Sequence, residues 1–97
     1  MLRHVVALTF RDDVAADEID SIAAQLRQLP STVPSIRSYV VGRDLGLNEG
    51  NADLVVVGDF EDEAGYVAYR DDPGHRRIID ERIAPALASR SAAQFEL

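Results

Sequence analysis

The third predicted strand constrains the fold most, because it is apolar at consecutive positions. Residues 53–60 read DLVVVGDF, and the central Val-Val-Val run leaves this strand without a polar face. Such a run is typical of a strand that is covered on both sides of its sheet. The chain must therefore supply or recruit a packed layer on each side.

The segments around this strand predict the order β-α-β-β-α-β. Residues 3–10 alternate, with His4, Val6, Leu8 and Phe10 on one face of the first strand. The other predicted elements are a helix over 15–29, a strand over 36–43, a helix over 61–70 that resumes at about 75, and a strand over 92–97. This order is that of the ferredoxin-like fold, an α+β fold with a four-stranded antiparallel sheet and helices on one face. We predict a single domain over 1–97.

The second face of that sheet is too apolar to be left in water. Two helices cover one face only, yet Val5 and Ala7 lie on the other side of the first strand. Tyr39 and Val41 are assigned to this uncovered face or its rim, and Val56 is a further candidate position on it. A second copy that stacks its sheet on this one would bury the face. We therefore predict a homodimer through the sheet faces, with an unusually apolar monomer as the alternative.

Composition excludes several classes of partner. The chain has 10 basic and 17 acidic residues, a formal charge of −7, so it lacks the basic surface that nucleic acid or an anionic membrane requires. It has no cysteine, which excludes disulfides and thiolate chemistry. The first ten residues are too short for a signal peptide, and no stretch approaches the roughly 20 apolar residues of a membrane span. A cytoplasmic location is expected.

Four segments together resemble the Dabb family, the stress-responsive dimeric α/β barrels. They are RHVVALTF, PSIRSYVVGRDL, DLVVVGDFEDEAGYVAYRDDPGH and the closing strand. The resemblance covers essentially the whole chain and implies a homodimeric α/β barrel, with a cavity between each sheet and its helices. Its most specific part is Tyr69 followed by the tetrad Asp72-Pro73-Gly74-His75, where many members have His-Pro-Ala-His.

The resemblance also implies candidate site residues. Polyketide cyclases of the olivetolic acid cyclase type use a tyrosine and a histidine that match Tyr69 and His75, and a first-strand histidine that matches His4. An imidazole near pH 6.5 can remove a proton next to a carbonyl, and a tyrosine hydroxyl can donate to the developing oxyanion. His75 is thus a candidate base and Tyr69 a candidate donor. His4 and Tyr66 are candidate substrate-binding residues.

Each of these residues also has a purely structural interpretation. Asp72 and Pro73 suit the start of a helix, and His75 would then lie on the surface. His4 would be a core histidine bonded to the backbone. Two histidines and scattered surface acids do not form a spaced ligand set, so we predict no metal site and no cofactor.

Three functions remain open at this stage. The first is a cofactor-independent cyclase or aldol-type lyase acting on polyketide-like or aromatic small molecules. The second is a non-catalytic, stress-associated dimer that binds a small hydrophobic ligand or has a structural role. The third is a cofactor-free monooxygenase. An intact cluster of His4, Tyr69 and His75 at a cavity would favour an enzyme, whereas a filled interior would favour the second function.

Overall fold

The structure, a computed structural model, describes residues 1–97 and has the predicted order of strands and helices. The strands are β1 (Leu2–Phe10), β2 (Ile36–Arg43), β3 (Leu54–Phe60) and β4 (Leu87–Glu96). The α-helices are α1 (Ala16–Leu26), α2 (Glu63–Asp71) and α3 (Pro73–Ile78). Three shorter helical segments are a 3₁₀ turn at Leu29–Ser31, a π-helical segment at Ile79–Ile83 and a 3₁₀ turn at Ala84–Ala86. None of the helices is long and apolar enough to cross a membrane.

The four strands form one antiparallel sheet in the order β2-β3-β1-β4. The helices lie on one face of this sheet, which is the ferredoxin-like arrangement that the sequence predicts. The core lies between that face and the helices, and its fully buried side chains include Phe60 and Leu54 from β3, Ile22 and Leu26 from α1, and Ile83.

The alternation of β1 assigns its residues to two surfaces, as predicted. His4, Val6, Leu8 and Phe10 are buried under the helices, and the residues between them face the other way. We call that other side of the sheet the open face. Its apolar members include Val5, Ala7, Val55 and Val57, which are half-buried, and Val40 and Phe95, which are 58% and 49% exposed.

The assignment of Tyr39, Val41 and Val56 to the open face is wrong. Val41 and Val56 are buried in the core, and Tyr39 packs against the same core. An irregularity in the pairing of β2 with β3 lies between Ile36 and Ser38 and changes the phase of the alternation. As a result Ile36, Tyr39 and Val41 all contact the helix side of the sheet, whereas Val40 lies on the open face.

The segment between β3 and β4 is shaped by its caps and prolines. The Asp62 side chain accepts a hydrogen bond from the Gly65 N–H at 2.9 Å and caps α2. Pro85 lies in the last 3₁₀ turn, and the helical path ends there because proline lacks the N–H that a continuing helix needs. The last strand begins at Leu87, five residues before its predicted start. The start was predicted too late because Leu87 fits the apolar spacing of a helix as well as that of a strand.

Candidate functional site

A cavity of about 410 Å³ lies between the helix side of the sheet and the segment that runs from α2 to β4. This volume is within the range of small-molecule sites. Its floor is apolar and includes Leu26, Val56 and Ile83, each about 2% exposed. The four predicted site residues, His4, Tyr66, Tyr69 and His75, all line it.

The tetrad that follows Tyr69 forms the start of α3. The Asp72 carboxylate accepts a hydrogen bond from the His75 N–H at 3.0 Å, and Pro73 occupies the first turn. The structural interpretation of this motif is therefore right about the cap. It is wrong about the histidine, because His75 is buried, 8% exposed, and faces the cavity.

The His75 ring has a defined proton position. Its Nδ1 lies 3.1 Å from the carbonyl oxygen of Arg70, which can only accept, so Nδ1 carries the proton. Nε2 of the neutral ring then has a free lone pair. This atom has no partner in the protein, and Ser35 Oγ is the one fully buried side-chain polar atom without a partner. Nε2 is therefore open to the cavity as an acceptor.

The His4 ring has the opposite arrangement. The amide Nε2 of Gln94 donates to His4 Nδ1 at 2.8 Å, so the proton of the neutral ring is on Nε2. That nitrogen likewise has no protein partner and is not fully enclosed. His4 thus presents an N–H donor to the cavity into which His75 presents an acceptor.

Both histidines are neutral at physiological pH. Burial lowers the pKa of His4 to about 4, and the positive charge of Arg90 and the neighbouring His75 add to this effect. Burial also lowers the pKa of His75, and the positive charge of Arg76 adds to this effect. The Arg70 carbonyl and Asp72 act in the other direction and raise the pKa. The His75 lone pair is therefore available at neutral pH.

Three tyrosines complete the polar part of the site. The Tyr69 ring lies 4.2 Å from the His75 ring, centroid to centroid, and its hydroxyl is hydrogen-bonded to the Tyr39 hydroxyl at 2.9 Å. Burial raises the pKa of Tyr69 to about 12, so it stays a neutral donor. The Tyr66 ring lies 5.0 Å from the His4 ring.

Several residues of the site were not predicted. Tyr39 was assigned to the other face, and Gln94 had no local signal because it meets His4 across 90 positions of sequence. Three arginines, Arg70, Arg76 and Arg90, also line the cavity. Arg70 directly follows the candidate residue Tyr69, so the sequence could have indicated that Arg70 lies near the site. No group of three or more His, Cys, Asp or Glu side chains has an arrangement suited to a metal ion.

The chain belongs to the Dabb family, described as the Stress Responsive A/B Barrel Domain, which it matches over residues 2–97. The resemblance noted in the sequence is thus confirmed. A search of curated protein sequences found no match.

Several solved structures share the fold over nearly the whole chain. A dimeric ferredoxin-like protein of unknown function from Thermobifida fusca YX is 41% identical, with a TM-score of 0.90 and coverage of 99% of this chain and 90% of that one. The hydroxynitrile lyase of Passiflora edulis is 19% identical, with a TM-score of 0.85 and coverage of 99% and 92%. SnoaB, a cofactor-independent oxygenase from Streptomyces nogalater, is 14% identical, with a TM-score of 0.77 and coverage of 99% and 91%. The last two show the fold alone.

Proposed function

We propose that this protein is a cofactor-independent enzyme that moves a proton at a carbon next to a carbonyl group, in an aldol-type cyclisation or lyase reaction on a small, partly apolar or aromatic molecule. The observation that carries the proposal is the complementary state of the two histidines. One cavity holds an imidazole acceptor, His75 Nε2, and an imidazole donor, His4 Nε2.

The chemistry needs these two functions together. A base must take the proton from carbon, and a donor must stabilise the negative charge that moves onto the carbonyl oxygen. His75 is the proposed base. Tyr69 is the proposed donor to the oxyanion, a role that requires its hydroxyl to accept from Tyr39 and to direct its own proton toward the cavity that Tyr69 lines. His4 is a second donor, and Tyr66 is proposed to pack against the bound molecule.

The alternative of a non-catalytic binding or structural dimer fits the geometry less well. It is favoured by a filled interior with His75 turned to solvent, whereas the cavity is open and His75 is buried beside Tyr69. Two structures with the same fold are named as enzymes, a hydroxynitrile lyase and a cofactor-independent oxygenase. These two names support an enzymatic function for a chain with this fold, and they describe two different reactions.

We also infer that the protein works as a homodimer joined through the open face. The apolar residues of that face need cover, and the sheet has no helices on that side. Its charged pair is already neutralised, because Arg3 contacts Asp59 through two hydrogen bonds of 2.8 and 2.9 Å. Solved relatives from three organisms, one of them the 41% identical protein, are described as dimeric. A role in stress and a cytoplasmic location stay predictions.

The test of the proposed reaction is proton exchange at carbon. Aryl ketones and β-dicarbonyl compounds are incubated with the protein in D₂O, and loss of their α-proton signals is followed by NMR. We expect a catalysed rate that rises with pH below the ordinary histidine value of about 6.5 and is constant at neutral pH, because the pKa of His75 is lowered. His75→Gln should lose this rate.

The matched control is Arg77→Gln, which changes a residue of α3 outside the cavity and should exchange at the wild-type rate. Circular dichroism confirms that both variants are folded. A folded His75→Gln protein with the wild-type rate would remove His75 as the base, and a wild-type protein without any catalysed exchange would favour the binding module.

A further inference from the structure

The charge around the cavity is opposite to that of the whole protein. The chain carries a formal charge of −7, with 17 acidic residues, yet no Asp or Glu lines the cavity and three arginines do. Arg70, Arg76 and Arg90 are exposed, whereas the apolar floor is buried, so the arginines lie at the mouth. A molecule in this cavity therefore meets apolar side chains at one end and cations at the other.

One of these arginines has no partner in the protein. Arg70 contacts the Asp71 carboxylate at 2.9 Å, and Arg76 contacts that of Asp80 at 3.2 Å. Of the ten arginines of the chain, eight have an ion pair or a side-chain hydrogen bond, and the two without either are Arg77 and Arg90. Only Arg90 of these two lines the cavity.

The position of Arg90 is set by the sheet. It pairs with Leu8 in the register of β1 and β4, on the same side of β4 as Gln94, which pairs with His4. Its side chain thus projects from a strand toward the histidines, and its charge contributes to the lowered pKa of His4. A guanidinium with all its donors free at the mouth of an apolar cavity suits a planar oxyanion.

We propose that the molecule bound in this cavity carries a carboxylate, and that Arg90 pairs with it while the rest of the molecule lies on the apolar floor. The substrate class is then an organic acid with an apolar or aromatic body. The site is the cavity of the proposed function, so this substrate class rests on that proposal. Arg70 and Arg76, each partly neutralised by an aspartate, add to the positive potential at the mouth.

The experiment compares two probes of nearly the same size and shape, one that ends in a carboxylate and one that ends in a neutral amide. Binding of 3-phenylpropanoate and of its neutral analogue 3-phenylpropanamide is measured at pH 7 by NMR titration. We expect the wild-type protein to bind the acid about tenfold or more tightly than the amide, the size of one charge-assisted hydrogen bond. Arg90→Gln should reduce binding of the acid to that of the amide and leave the amide unchanged, and Arg90→Lys should keep part of the preference.

Arg77→Gln is the control, because it removes the same charge from the other unpaired arginine, outside the cavity. It should keep the preference for the acid; if it removes the preference too, the effect is one of overall charge and the proposed pairing is wrong. Equal binding of both probes, or no binding of either, also overturns the pairing. His75→Gln should still prefer the acid, so loss of proton exchange and loss of acid recognition are separate results.

Discussion

His4 and His75 face the same cavity with their ring protons on different nitrogens. His4 Nδ1 accepts from the side chain of Gln94, and His75 Nδ1 donates to the backbone of Arg70. The two neighbours therefore determine which histidine offers a lone pair and which offers a proton. A substitution of Gln94 should therefore change the chemistry of the site without removing a histidine, whereas the backbone carbonyl that holds His75 is present whatever residue stands at position 70.

Gln94→Glu should reverse the proton position of His4. A carboxylate at residue 94 can only accept, so Nδ1 would carry the proton, and the negative charge would raise the pKa of His4 above its present value of about 4. The measurement is a ¹⁵N NMR titration of the imidazole nitrogens. His75 is the internal control, and its tautomer should not change. An unaltered His4 spectrum would mean that Gln94 does not determine the tautomer.

The stability of the protein should fall as the pH is lowered from about 6.5 to about 4. The pKa of His4 is about 4 in the folded state, so over this range the unfolded state binds a proton that the folded state does not. His75 acts in the same direction. Denaturant unfolding at pH 7 and pH 4.5 measures the decrease, and His4→Gln should show a smaller decrease than the wild type. An identical decrease in both proteins would contradict the lowered pKa.

Tyr39→Phe should cost about 1 kcal/mol in the free energy of unfolding, because it removes the hydrogen-bond partner of the buried Tyr69 hydroxyl. Tyr66→Phe is the matched control, since no hydrogen bond of the Tyr66 hydroxyl is present to be lost, and its change should be close to zero. Urea unfolding of both variants gives the comparison. Equal losses would indicate that the bond between the two tyrosines contributes nothing measurable.

Val57→Asp should dissociate the proposed dimer and leave the subunit folded. Val57 lies on the open face, so the new charge would be buried only when two sheets stack. Val56→Asp differs by one position but buries its charge in the core, and it should unfold the chain. Sedimentation gives the mass relative to the 10.6 kDa subunit, and circular dichroism gives the fold. A folded Val57→Asp protein of unchanged dimer mass would rule out the open face as the interface.

Asp72→Ala should destabilise the protein by about 1 kcal/mol through loss of the α3 cap, and Asp72→Ser, which keeps a capping oxygen, should recover most of this loss. The cap also fixes the backbone of His75. The proton-exchange rate of the alanine variant should therefore fall in conditions where it is still fully folded. A wild-type exchange rate in the fully folded alanine variant would show that the cap is not needed to hold His75 in place.

The parts of the fold and site that could be predicted are those encoded by local patterns. The alternation in β1 placed His4 on the buried face, and the Asp72-Pro73 pair indicated a helix start immediately before His75. The phase of β2 could not be predicted, because it depends on an irregularity that only the pairing with β3 reveals. Gln94 and Arg90 reach the site through the register of β4 on β1, a pairing of distant segments that no local window contains.

The alternation of β1 has a consequence for how relatives of this protein can diverge. Its even-numbered residues line the core and the cavity, and its odd-numbered residues form the open face. Alternate positions of one strand therefore determine which ligand the cavity accepts and which surface the open face binds. Point substitutions can alter one property and leave the other intact. The gain or loss of a single residue within β1 would exchange the two sets, placing His4 outside and Val5 within. We therefore expect lineages with new substrates to keep the length of this strand fixed.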